Sequence, residues 1–219
     1  MSVTFISAMP RQTLTSSWNR FERLIRKYVK SDGKDPEALK ALEDFTEKLN
    51  SSQVVKALAT VFVYPYGFDD VNIRFTVREN EGVPDWKIRF QEEKREIEIN
   101  PVGVFYFIKE CRQAVAALQT PAARRNFTTY RLQAYLAELS KLPSTLLLTL
   151  LILYEIASIN HITDVKQKSG EVETAEGEEY LKLLWAFKEL ETYYYSQHGR
   201  ELRTEYGISW LESDWFIGE

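Results

Sequence analysis

An α+β fold is expected for this chain: helices, a small mostly antiparallel sheet, then helices again. Three observations predict it. Alternation of apolar and polar residues is confined to about residues 60–100, and helical spacing with capping residues fills the sequence on both sides. One central run, about 145–162, is apolar round its whole circumference. The 219 residues fit a single domain overall, with 1–59 as an N-terminal helical segment packed on an α+β body formed by 60–219. Hydrophobic residues at 44% and aromatics at 13% supply an ample core and exclude wholesale disorder.

The elements follow in order. Residues 14–30 read as a helix with Trp18, Phe21, Leu24, Ile25 and Tyr28 running through it. A second helix opens with Asp35 as N-cap, Pro36 at its first position and Glu37 in its first turn, and runs to about Leu49. A short helix, Gln53–Ala59, leads into the β-rich stretch. Val61–Tyr66, rich in Val, Phe and Tyr, reads as a first strand with Pro65 near its end. In Asp70–Arg78, Val71, Ile73, Phe75 and Val77 share one face, while Asn72, Arg74, Thr76 and Arg78 share the other. The turn-rich segment 80–84 separates this strand from Trp86–Gln91, and Lys94–Ile99 alternates again with Ile97 and Ile99 on one face. Three of these segments predict an antiparallel meander with one buried face.

Asn100 and Pro101 stop the sheet and start a helix over Val102–Leu118. Thr120 and Pro121 open another that ends near Leu139, and Pro143 with Ser144 opens the apolar helix, Ser144 serving as N-cap. After a polar loop at 166–174, a helix from about Ala175 to His198 stops at Gly199. Trp210, Trp215 and Phe216 near the end are expected to pack back on the body.

Charge excludes some functions. A formal net charge of −4 offers nucleic acid no general attraction. The charge is uneven, however: Arg11, Arg20, Arg23, Arg26, Lys27, Lys30 and Lys34 make residues 11–34 basic, and residues 171–219 hold twelve acids against four bases. The basic stretch is read as the solvated face of an amphipathic helix, and complementary ends permit a head-to-tail homo-oligomer, although exposed ion pairs contribute little each. Cys111 is the one cysteine, so neither an internal disulfide nor a thiolate metal cluster can form, and Phe107, Ile108 and Val115 around it mark it as a buried apolar residue. The first ten residues lack the pattern of a signal peptide, and the apolar run is too short for a membrane span and holds Glu155. A cytoplasmic protein is the expectation. Nine scattered glycines form no phosphate loop.

The apolar run ends in a polar cluster. Tyr154, Ser158 and His161 lie on one helix face at i, i+4 and i+7, with Glu155 beside it and Asp164 just beyond. The segment Tyr154-Glu155-Ile156-Ala157-Ser158 through Asp164 resembles the zincin metallopeptidase motif, H-E-x-x-H followed by a third ligand. Aligned so, Glu155 matches the general base, Tyr154 and Ser158 stand where two His ligands belong, Asp164 stands at the third ligand, and His161 replaces a glycine. The order of strands, Asn-Pro stop and motif helix over about residues 60–195 is similar to that of small zincin-like proteins, with Glu176, Glu178 and Glu179 where related families supply a further acid. The resemblance implies a zincin-like frame from which catalysis is lost, because Tyr and Ser are poor zinc ligands.

On that reading no residue is catalytic, Glu155 is a relic, and Tyr154, Glu155, Ser158, His161 and Asp164 form a relic pocket in a binding module for a protein partner or small ligand. No cofactor is expected, and zinc is the one that the alternative with altered ligands would take. Two other readings stay open: a hydrolase with altered metal ligands drawn from Glu155, His161, Asp164, Glu178 and Glu179, or a structural or assembly protein. In the last, Glu155 pairs with a core Arg such as Arg124, Arg125 or Arg131, His161 sits favourably at a helix C-terminus, and Asp164 pairs with Lys168. His198 at a helix end and the aromatic run Trp185, Phe187, Tyr193, Tyr194 and Tyr195 have the same plain reading, with one or two tyrosines facing out.

Overall fold

The computed structural model describes residues 9–31, 33–77, 87–118, 134–160, 175–198 and 202–207. They are mostly helical, with one small sheet, so the α+β class holds. The chain divides into two compact units, Met1–Lys109 and Glu110–Glu219.

The first unit opens with α1 (Met9–Lys30), α2 (Pro36–Asn50) and α3 (Gln53–Phe62). Asp35 caps α2 as its sequence predicts, accepting from the N–H groups of Glu37 at 3.0 Å and Ala38 at 3.2 Å. Ser52 caps α3 through Val54 N–H. The three helices pack on one another and on the sheet. Phe21 lies at the centre, edge-on to Phe45 at 4.8 Å and stacked on Phe75 at 5.5 Å.

Residues 61–66, expected as a strand, are not one. α3 continues through Phe62, and Tyr64–Tyr66 form a 3-10 turn. The reason is periodicity: Val55, Leu58, Ala59 and Phe62 are buried at i, i+3, i+4 and i+7, and that stripe outweighs the β-propensity of Val, Phe and Tyr. Gly67, at φ 84°, then turns the chain in a conformation that a side chain would resist.

The sheet also departs from expectation. Its strands are β1 (Asn72–Phe75), β2 (Ile88–Gln91) and β3 (Glu96–Ile99), in spatial order β1-β3-β2. β3 pairs antiparallel with β2 and parallel with β1, so the sheet is mixed and not a meander. The tight turn at 92–95 forces β2 against β3, whereas the longer stretch at 76–87 lets β2 take the far side. Register places Ile73 beside Ile97 and Phe75 beside Ile99 on the buried face. The outer edge of β1 is closed by Asn50, whose side chain donates to Phe75 O at 2.7 Å and accepts from Phe75 N at 2.8 Å. Asn100 then ends the sheet, its N–H on Lys87 O and its side chain accepting from Val102 N, and α4 (Pro101–Ala117) begins as expected.

In the second unit, α5 (Ser144–Ile159) is buried continuously from Leu146 to Leu153. Its cap differs from expectation. Pro143 holds the N-cap position, and Ser144 is the first helical residue, its hydroxyl accepting from Arg112 at 2.8 Å. The sixteen residues span about 24 Å, short of a bilayer core. Among the described residues no helix is long and apolar enough to cross a membrane. α5 packs on α6 (Ala175–His198), which contributes Leu183, Ala186, Phe187, Leu190 and Tyr194 at helical spacing. The short α7 (Leu202–Tyr206) docks on α6 through Arg203 to Glu191 at 3.1 Å and through the Tyr194 hydroxyl to Glu205.

Candidate functional site

The polar end of α5 is the first candidate. Tyr154, Glu155 and Ser158 are all half-buried on its last turns, while Ile156 and Ala157 between them are buried. Ser158 does not project as a ligand would. Its hydroxyl donates to the Tyr154 carbonyl, one turn back, at 3.3 Å. Tyr154 and Glu155 are themselves engaged in contacts. His161 and Asp164 lie outside the described residues, as do Lys168, Arg124, Arg125 and Arg131. Glu176, Glu178 and Glu179 fall on the first turns of α6. Among the described residues no group of three or more His, Cys, Asp and Glu is placed to hold a metal ion.

The other singled-out residues find ordinary places. Cys111 is fully buried. Of the α6 aromatics, Phe187 and Tyr194 are buried, and Trp185 and Tyr193 are half-buried. The tail aromatics Trp210, Trp215 and Phe216 lie outside the described residues.

A second charged centre lies on the polar face of the sheet, and sequence reasoning missed it. Glu98 is only 2% exposed, although it alternates with Ile97 and Ile99. Register sets Arg89 directly across from it on β2, and Arg89 donates twice to the same carboxylate oxygen, at 2.9 and 3.1 Å. Gln91 donates at 3.1 Å, and Lys94 approaches the other oxygen at 3.6 Å. Burial pushes the Glu98 carboxyl up, but the bonds from Arg89 and Gln91 and the charges of Arg89 and Lys94 outweigh it and hold the group below the ordinary range. Nearby, Arg95 closes the hairpin at φ 51° and pairs with Asp70 at 2.8 Å, which holds that carboxyl low as well. A carboxylate stabilised in its charged form by three donors is a poor general acid and a poor nucleophile. This centre holds the sheet together.

The third centre is α1. Its inner face buries Leu14, Trp18, Phe21 and Ile25, as the amphipathic pattern predicts. Its outer face exposes Arg20, Arg23, Arg26, Lys27 and Lys30.

No family model, curated protein or solved structure matches the chain.

Proposed function

We propose that this chain is a non-peptidase of zincin-like ancestry that works as a binding or interaction module in the cytoplasm, its partner a protein or a small ligand. The observation that carries this reading is the back-turned hydroxyl of Ser158 on the Tyr154 carbonyl. A motif helix that kept its activity would aim both positions outward at a shared metal, one turn apart. Here one of them is turned onto its own backbone and the other is an aromatic side chain. Glu155, the residue that would polarise a metal-bound water, is left without the helical ligands that such a water needs. Supporting it further, the buried carboxylate of Glu98 is neutralised by its own neighbours, which suits a scaffold and not a reacting centre.

Metal analysis of protein purified without chelator tests the reading. The expected result is no stoichiometric zinc or manganese and no cleavage of peptide substrates. Stoichiometric metal that disappears on His161→Ala would overturn it in favour of a metal-dependent hydrolase with altered ligands.

A further inference from the structure

The five cations on the outer face of α1 fall within an arc of roughly 120°, opposite Trp18, Phe21 and Ile25. Among the described residues none of the five pairs with a carboxylate, whereas Arg89, Lys94, Arg95, Lys141 and Arg203 all do. Two of the five are nevertheless held in place. The Arg20 guanidinium lies over the Phe45 ring at 4.6 Å, and that of Arg26 lies over Phe105 at 5.3 Å. Stacking on a ring face orders an arginine while leaving its N–H donors for a carboxylate, so part of the ordering cost of binding is already met.

The occupant is indicated by the chain's own charge. Residues 9–30 hold six bases against one acid, and residues 110–219 hold sixteen acids against eleven bases. The densest acidic run contains Glu171, Glu173, Glu176, Glu178 and Glu179, and no Lys or Arg occurs from 169 to 181. Five carboxylates thus answer five cations. The basic stripe from Arg20 to Lys30 is about 15 Å long, between the roughly 12 Å that residues 171–179 span as a helix and the roughly 27 Å that they span extended. A phosphate polymer suits the face less well, because the whole chain carries −4 and repels it at long range. A lipid surface suits it less well too, because Leu14, Trp18, Phe21 and Ile25 of α1 are spent on the core and the exposed face between Arg20 and Lys30 is cationic, with no large apolar side chain fully exposed there.

We infer that the outer face of α1 docks the acidic run 171–179 of a second copy of the chain. The contact is heterologous, so each copy offers one basic and one acidic patch and chains join head to tail. The assignment rests on reading the chain as an interaction module but not on its ancestry. Stoichiometric metal would sink the functional reading and leave a self-association result standing.

The test uses two full-length variants, Arg23→Glu with Lys27→Glu, and Glu178→Lys with Glu179→Lys, examined by sedimentation. In about 50 mM salt the unaltered chain self-associates, and about 500 mM weakens that association about tenfold or more. Each variant alone stays at the 25.6 kDa of one chain, and an equal mixture of the two associates again, because their charges are complementary. Unchanged circular dichroism and unfolding temperature confirm that each variant folds, and if the second does not, Glu171→Lys with Glu173→Lys replaces it. A monomeric unaltered chain overturns the inference, as does association that survives either pair of substitutions. So does binding to single-stranded RNA or to phosphatidylserine vesicles that is abolished by Arg23→Glu with Lys27→Glu while self-association stays unchanged.

Discussion

The polar face of the sheet and the outer face of α1 both carry arginines, and they treat them differently. On the sheet, Arg89 reaches a carboxylate that is almost wholly buried, and Gln91 and Lys94 complete its shell. On α1, Arg20, Arg23, Arg26, Lys27 and Lys30 are exposed, and among the described residues none of them pairs with a carboxylate. Charge in the first place is part of the fold, because removing its donors leaves the almost wholly buried Glu98 carboxylate without the charges and bonds that offset its burial. Charge in the second place is surplus to folding. A one-signed face of this kind costs some self-repulsion, and on the proposal made above it is the surface that docks a second copy of the chain.

Substitutions should separate the two regions by the size of their effect on stability. The largest loss belongs to the inner face of α1. Phe21→Ala empties the space between Phe45 and Phe75 and should cost about 3–5 kcal/mol in denaturant unfolding. A loss under about 1 kcal/mol would mean that α1 is not part of the core.

Next comes the sheet centre, where Glu98→Ala should cost about 2–3 kcal/mol, less than the roughly 3–5 kcal/mol of a fully buried pair because Arg89 retains access to water. Its pH dependence has a defined sign. The folded-state carboxyl is held below its ordinary value, so its contribution is present above an unfolded pKa of about 4.3 and is lost as pH falls through the lower folded value. Unfolding midpoints measured from about pH 6 down to about pH 3 should therefore fall more steeply for the unaltered chain than for Glu98→Gln. Equal slopes would place Glu98 outside the stabilising network.

Asn50→Ala comes third, removing two hydrogen bonds to Phe75 and freeing the edge of β1, with an expected cost of about 1–2 kcal/mol. The smallest effect is expected on the outer face of α1, where Arg23→Glu with Lys27→Glu should change stability by less than about 0.5 kcal/mol. A loss approaching that of Glu98→Ala would erase the distinction between the two regions.

Much of this contrast was legible in the sequence. The amphipathic stripe of α1, the Asp35 cap, the Asn100-Pro101 boundary and the all-round apolar α5 each rest on local spacing, and local spacing decides them. What was not legible depends on contacts distant in sequence. Alternation says which face a residue occupies, but not which strand lies beside it, so the central position of β3 and its parallel pairing with β1 were out of reach. For the same reason Glu98 reads as a solvent-facing residue until Arg89 and Gln91 are set across from it. Residues 61–66 failed in another way, since short apolar runs rich in Val and Phe satisfy helix and strand alike, and the stripe from Val55 to Phe62 decided for helix. At the candidate site, the motif helix could be placed from sequence, but the direction of the Ser158 hydroxyl could not, because it is fixed by a choice between backbone and surroundings.

The most direct test of an offered surface is the mass of the unaltered protein in solution, measured by light scattering over a range of salt concentrations. The account predicts a weight-average mass above 25.6 kDa at low salt that falls to that value as salt is added. A mass of 25.6 kDa at every salt concentration would contradict it, as would a larger mass that salt leaves unchanged.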